Sequence, residues 1–512
     1  MFFNRTFHPD EANQAFTTGR LLETGVYEYR PQDHHGPTLY YAAAPLQKAF
    51  GHHDTASIDG SLLRCTPLLF AVLAIVFSLF AVRKATRSWL PALFSATLLA
   101  ATPIFAFYST DFIQEMLLAA FTTMMLWAVV NYLARARVSS EAKTGHSTKT
   151  KPGTYALFFG IAAGLAFATK ETSVLSFAAA AVAAVCVILL PANKTTVPPT
   201  RWPRFVAAAR RDAILAAAGF TLTSILLFSA FCTDWTGVYN AFIAAPLSYF
   251  HRAAGDAGAG GANWHVHPWW WYAKTLFFPN RICYSLIFLP LIVYPLLPRF
   301  RKSKPLVFLA VHSFVLFALY SILPYKTPWC MLQVAVPLVV AYGILLGEIA
   351  VNLRHGRAIA AIAFILPFSL FVFANSQIMR DPDSRDIPYN YAHASPQVKD
   401  LAACVAEKFT AAKRPASNLQ STTNNFQLIA VALPPCDTWP FPWYNRPLES
   451  HTGYWTDFSD LENLSKKGVK PTIVVCPAEE GHLVMPLFPH LNRTRRFEMR
   501  PRVRIRVFWS EP

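Results

Sequence analysis

The stretch LLRCTPLLFAVLAIVFSLFAV, residues 62–82, decides the fold class. Beyond Arg64 it holds no charged side chain, and its length matches the ~20 apolar residues a helix needs to cross the hydrocarbon of a bilayer. A helix suits that solvent because it satisfies its backbone polar groups internally. Working outward, nine further runs of this kind occur at about 89–107, 112–133, 154–170, 173–190, 213–232, 281–297, 305–323, 330–350 and 358–376, of which 173–190 is Ala-rich and only weakly apolar. Composition agrees. In 512 residues, 54% are hydrophobic, 15% are charged and 41 are Phe, whereas a soluble chain of this length carries more charge. The chain reads as an α-helical polytopic membrane protein with about ten transmembrane helices.

Charge sets the orientation. With the amino terminus outside, the inward loops hold nineteen Lys and Arg, among them Arg83, Arg87, Arg135, Arg210, Arg211, Lys304 and Arg354, and the outward connections hold five. The positive-inside rule therefore places both ends outside the cytoplasm. Three regions follow: an extracytoplasmic first loop, 1–60; a membrane domain, 61–376; and an extracytoplasmic segment, 377–512. The last has no span. It shows a periodic helix at about 396–412, apolar strand candidates at 426–433 and 472–476, and a final strand, Arg502–Val507, alternating with period two, so it reads as a small α/β domain. The net charge of +17 comes from topology-setting loops near anionic lipid and from seventeen Lys and Arg after residue 376. No nucleic-acid motif accompanies them.

A chain with an external amino terminus and no preceding span has no evident route of export for its first sixty residues. The simpler expectation is an upstream helix lost by truncation or late start assignment; the alternative is export of a short tail. Cys65, Cys186, Cys232, Cys283 and Cys330 lie in or beside spans and read as small buried hydrophobes. Cys404, Cys436 and Cys476 are compatible with one external disulfide and an odd thiol, and sequence does not choose the pair.

Ionisable side chains at membrane depth are costly and usually functional, and here they gather at the outward turns. The first loop carries Asp10-Glu11 and Asp33-His34-His35-Gly36-Pro37, followed by Tyr40-Tyr41. Asp111 and Glu115, four apart at a helix start, share a face if the helix includes both. Lys170-Glu171 marks the next turn, and Tyr325-Lys326-Thr327-Pro328-Trp329 the last. Between them a Gly-rich hinge, 255–261, leads into Trp264-His265-Val266-His267-Pro268-Trp269-Trp270-Trp271-Tyr272. Structural readings stand beside functional ones: Asp111 as a helix cap, Lys170-Glu171 as a self-paired turn, Asp10-Glu11 as solvated charges, and the His265/His267 stretch as an interfacial aromatic anchor. The chemistry such a cluster suits is attack by a hydroxyl or amide on an activated sugar. A carboxylate takes the acceptor's proton, while Lys, Arg or a divalent cation neutralises the departing phosphate. Asp10, Asp111 and Glu115 would hold Mg or Mn if they converge.

Several of these motifs stand in a familiar order. The acidic pair, His35-Gly36-Pro37 with Leu39-Tyr40-Tyr41, Tyr108-Ser109 followed by acids, Thr169-Lys170-Glu171-Thr172, the Tyr325–Trp329 turn, Pro388-Tyr389-Asn390-Tyr391 and Trp439-Pro440-Phe441-Pro442-Trp443-Tyr444 cover nearly the whole chain. The sequence resembles the GT-C superfamily of membrane glycosyltransferases. Within it, the likeness is to the prokaryotic branch labelled flippase activity-associated protein, related to protein O-mannosyltransferases and to the aminoarabinose transferases of lipid A. That resemblance implies an inverting, hexosyltransferase-like enzyme using a polyprenyl- or dolichyl-phosphate sugar at the extracytoplasmic face. It puts Asp10 as base with Glu11 its neighbour, Asp111 and Glu115 at the second acidic position, and His35 where relatives have His or Lys before Pro. On this reading the donor phosphate falls to His34, His35, Lys170, Tyr325 and Lys326. Contact with the sugar or with a lipid, glycan or protein acceptor falls to His265, His267 and Trp443. For Trp443, packing against the membrane domain is an equal reading. The family normally has a span before its acidic loop, from which this chain departs. A transporter would place its ionisable groups at mid-membrane on broken helices, and a silent assembly protein would use the basic tail to hold a partner.

Overall fold

The computed structural model describes the chain except residues 1–4, 32–34, 142–151, 191–201, 254–264, 277–280, 294–302, 413–427 and 512. His34, the Gly-rich hinge, Trp264 and many inner-loop cations lie outside the described residues.

The first loop folds as two helices, α1 (Pro9–Thr24) and α2 (Thr38–Ala49). Each of the ten apolar runs then forms helix. In order these are α3 (Gly60–Thr86), α4 (Trp89–Ala101) with its short continuation α5 (Pro103–Tyr108), α6 (Glu115–Glu141), α7 (Pro152–Phe167), α8 (Ser173–Leu189) and α9 (Trp202–Phe228). The outer excursion holds α10 (Thr236–Tyr239), a π-helical turn Asn240–Ala244, α11 (Ala245–Ala253) and α12 (Trp271–Leu276). Last come α13 (Arg281–Val293), α14 (Lys304–Ile322), α15 (Leu332–Asn352) and α16 (Gly356–Arg380). Among the described residues six helical stretches are long and apolar enough to cross a membrane, and Trp89–Ala101, Pro152–Phe167, Ser173–Leu189 and Tyr284–Val293 are shorter apolar helices. The run at 89–107 is not one helix because Thr102 is extended and Pro103, which lacks an N–H, opens a new one.

α15 is the hub. Nearly every residue from Leu332 to Gly347 is buried, and α4, α14 and α16 pack around it. A second group joins α3, α6, α7 and α9, where Gly160 allows close contact: a Cβ there would lie 2.0 Å from Ala216 O. The apolar side chains left exposed, such as Leu69, Val72, Ile188, Leu222, Ile362 and Phe373, lie on these helices, as lipid-facing residues do.

After α16 the chain forms α17 (Gln397–Ala412) and a five-stranded sheet, β1 (Ile429–Ala432), β2 (Thr452–Trp455), β3 (Ile473–Pro477), β4 (Arg493–Arg500) and β5 (Val503–Trp509). The order is β2-β1-β3-β5-β4, with β2-β1-β3 parallel and β3-β5-β4 antiparallel. α17 covers one face, through Val398, Leu401, Val405 and Phe409, and the helix Phe458–Lys466 covers the other. The expected helix and three strands are all present. β5 buries Ile505 and Val507 and exposes Arg504, as its alternation requires. Cys404 and Cys476 are buried free thiols, so neither pairs with the other.

Candidate active site

Asp10 and Glu11 sit in the first turn of α1, which local chemistry places there. His8 caps the helix, Pro9 occupies the first helical position and Gly25 ends it at φ 74°. The Asp10 N–H donates to His8 Nδ1 at 3.1 Å, so the ring's proton is on Nε2, which donates to Tyr391 O at 2.8 Å. The two acids then part company. Glu11 is fully buried: Arg64 Nε and Nη2 donate to its two oxygens at 2.9 and 2.7 Å, while the His8 and Phe112 N–H groups each donate at 3.0 Å. Burial alone would raise its carboxyl, but Arg64 outweighs burial, helped by Arg5 and the Phe112 N–H, and holds it at about 2. The Asp10 side chain is 48% exposed, 3.9 Å from His8 Nδ1.

The second pair of acids is neutralised as well. Asp111 forms a buried ion pair with Arg5, whose guanidinium lies 4.0 Å over the Phe107 ring. Desolvation lowers Arg5 to about 10. Glu115 pairs with buried Lys170, and that carboxylate outweighs desolvation and raises the ammonium. α6 begins at Glu115, so Asp111 precedes the helix and the two do not share a helical face. The expected Asp10–Asp111–Glu115 cation site is therefore not supported. Two of its three carboxylates already carry a cation, and among the described residues no three His, Cys, Asp or Glu side chains gather as metal ligands.

His35 is positioned by its neighbour. Gly36 approaches the end of α7 so closely that a Cβ would lie 2.2 Å from Ala168 O, and Thr38 Oγ1 donates to Thr169 Oγ1 at 2.7 Å. His35 Nδ1 consequently lies 3.0 Å from Glu171 Oε2 and 2.8 Å from the Tyr249 hydroxyl, and Tyr29 donates to Glu171 Oε1 at 2.6 Å. Lys170 and Glu171 thus face different partners rather than each other. Gly36→Ala is expected to push the first loop off α7 and cost about 1–3 kcal/mol, the range for overpacking. A thermal midpoint measured in detergent checks this, and an unchanged midpoint would show that the loop accommodates the methyl.

Two further turns come together near Asp10, whose charge acts on His265 and Tyr391. Val266 bridges Tyr325 antiparallel, Lys326 N donates to His265 O at 2.7 Å, and His267 N donates to Pro324 O at 3.1 Å, so two outward turns are locked together. The Tyr391 hydroxyl lies 3.0 Å from His267 Nε2 and 3.3 Å from His265 Nδ1. Trp271 stacks on His267 at 4.4 Å, the Tyr325 and His265 rings lie 4.8 Å apart, and Trp329 meets His8 edge-on at 5.5 Å. Lys326 is buried near the Tyr272 ring, its ammonium donating to Leu323 O, and desolvation lowers it. His265 is lowered by desolvation, against the charge of Asp10.

Trp443 takes the packing role. It is buried, stacks on Phe7 at 4.7 Å and has the Arg446 guanidinium 3.9 Å over its ring, so it joins the tail to the first loop and offers no open face to a sugar. Sequence reading missed Arg5, Arg64, Trp271 and Tyr391 as site residues. Arg64 had a signal, a lone charge in an apolar run. Arg5 and Tyr391 depend on contacts remote in sequence, with Asp111 and with His265 and His267.

No family model matches the chain, and no curated protein matches it. Solved structures do. ArnT from Cupriavidus metallidurans bound to undecaprenyl phosphate superposes with a TM-score of 0.62 at 14% identity, covering 100% of this chain and 96% of that one. The same protein in the apo state gives 0.58 at 15%, covering 99% and 95%. The archaeal oligosaccharyltransferase AglB from Archaeoglobus fulgidus, in complex with an inhibitory peptide and a dolichol-phosphate, gives 0.52 at 14%, covering 93% of this chain and 66% of that one. At such identities the likeness establishes architecture alone: the chain is a polytopic membrane protein with the fold that ArnT and AglB share.

Proposed function

We propose that this protein transfers a sugar from a polyprenyl-phosphate donor to a lipid, glycan or protein acceptor at the extracytoplasmic face, with inversion at the anomeric carbon. One observation carries the reading. Among the described residues at these outward turns, Glu11, Asp111 and Glu115 are paired with Arg64, Arg5 and Lys170, Glu171 is held by His35 and Tyr29, and Asp10 has a half-exposed side chain near several aromatic rings. A lone open carboxylate beside rings able to flank a sugar suits a general base. The acceptor's O–H or N–H proton passes to Asp10 as the new bond to the anomeric carbon forms. The anomeric C–O bond breaks on the opposite side, and its electron pair leaves with the polyprenyl phosphate. Lys326, with no carboxylate partner among the described residues, is the cation we assign to that phosphate, and His35 the hydrogen-bonding ring beside it. Glu11, Asp111 and Glu115 act as positioning residues. The bound lipid phosphates of ArnT and AglB support the donor class.

The test is to supply purified protein with undecaprenyl-phosphate sugars and native membrane lipid and to follow products by mass spectrometry, with and without EDTA. The expected result is a glycosylated product that EDTA leaves unchanged, because Asp111 and Glu115, two of the three acids a cation would need, are already paired with protein cations. Transport of the donor without product would overturn the transferase reading.

A further inference from the structure

His265 and His267 are two apart in an extended segment, so their side chains share a side, and the Val266–Tyr325 bridge holds that segment in place. Both rings reach one hydroxyl, that of Tyr391, at 3.3 and 3.0 Å. Tyr391 comes from the segment after α16, where its carbonyl accepts the His8 bond and its ring lies edge-on to Trp271, 5.6 Å away. A hydroxyl between two neutral imidazoles accepts from one N–H and donates to the other ring's bare nitrogen. That is a continuous donor–acceptor chain. One end, His265, stands within electrostatic reach of Asp10, and also faces His8 and Arg500; the other, His267, is partly exposed.

Each turnover leaves the acceptor's proton on Asp10, and the base must shed it before it can act again. Resting on the transferase reading above, we propose that His265, Tyr391 and His267 form a relay that carries this proton away from Asp10. The proton passes from the Asp10 carboxyl through intervening water to His265 Nε2, and the Nδ1 proton moves to the Tyr391 oxygen. Tyr391 gives its own proton to His267 Nε2, and His267 releases one from Nδ1 to water. Nothing is oxidised or reduced, and rotation of the hydroxyl with return of the ring tautomers resets the chain.

Tyr391→Phe removes the hydroxyl and keeps the ring. In the full chain, with undecaprenyl-phosphate sugar labelled on the sugar as probe, kcat is expected to fall about 10–100-fold, with the donor KM within about twofold. High imidazole, acting as a soluble proton carrier, should restore most of the rate. A hydroxyl that only ties the tail to the loop predicts a loss that imidazole does not repair, and that result overturns the relay, as does full activity without imidazole. If Tyr391→Phe does not fold, His267→Gln must show the same imidazole-dependent loss. Product from the wild-type chain together with an unaffected variant removes the relay alone, whereas no product from the wild type removes the transferase reading with it.

Discussion

Asp10→Asn is expected to lower sugar transfer by about 10²–10⁴-fold, the range for loss of a positioned general base, while the protein still folds and reaches the membrane. The substitution is nearly isosteric, and the cap of α1 belongs to His8, whose Nδ1 accepts the backbone N–H of residue 10 whatever its side chain. Among the described residues Asp10 makes no ion pair closer than His8 at 3.9 Å, so its removal leaves none of their buried charges unpaired. Its place in the first helical turn suits an anion, because the helix dipole and the free N–H groups there favour negative charge. The loss should therefore appear in catalysis and not in stability. Transfer rate and detergent melting midpoint, measured on the same preparation, separate the two. A variant that retains the wild-type rate would take Asp10 out of the mechanism.

The contrast between Asp10 and Glu11 shows where sequence reading stops. The spans were legible because a bilayer imposes length and apolarity on each segment independently, and those can be counted along the chain. The alternation of Arg502–Val507 was legible for a similar local reason. Which acid is open was not. That depends on Arg64, fifty-three residues from Glu11, on Arg5 reaching Asp111, and on Lys170 reaching Glu115, and no spacing rule reports such pairings. Read locally, Asp111 and Glu115 looked like one helical face; α6 starts too late for that. Trp443 was ambiguous for the same reason, since only the fold brings Phe7 and Arg446 to its ring. Ionisable groups from separate turns do meet in pairs: Glu11 accepts from the Phe112 N–H, and Lys170 pairs with Glu115. The local pattern identified the cluster, and long-range ion pairs assign the parts.

Arg64→Ala is expected to cost about 3–5 kcal/mol, the range for breaking a buried ion pair from one side, against a total stability of about 5–15 kcal/mol. Two losses combine. Glu11 would remain fully buried without its guanidinium, and the Arg5 and Thr6 carbonyls, which accept from Arg64 at 2.9 and 3.3 Å, would lose their donors. The first loop should then loosen from α3, exposing the segment around Phe7, whose ring lies 4.4 Å from that guanidinium, to protease. Arg64→Met with Glu11→Gln should recover part of the loss, because a neutral pair leaves no charge stranded. Acid gives a second readout of the same pair. Glu11 has a carboxyl lowered from 4.5 to about 2 in the folded state, so its contribution is fully present above pH 4.5 and is lost as the pH falls through 2. The wild-type midpoint should fall across that window by more than that of a Glu11→Gln variant, which has no such group to titrate. Should Arg64→Ala melt with the wild type and resist protease equally well, the first loop must be held mainly by its contacts with Trp443 and Tyr444, and the pair would be a minor brace.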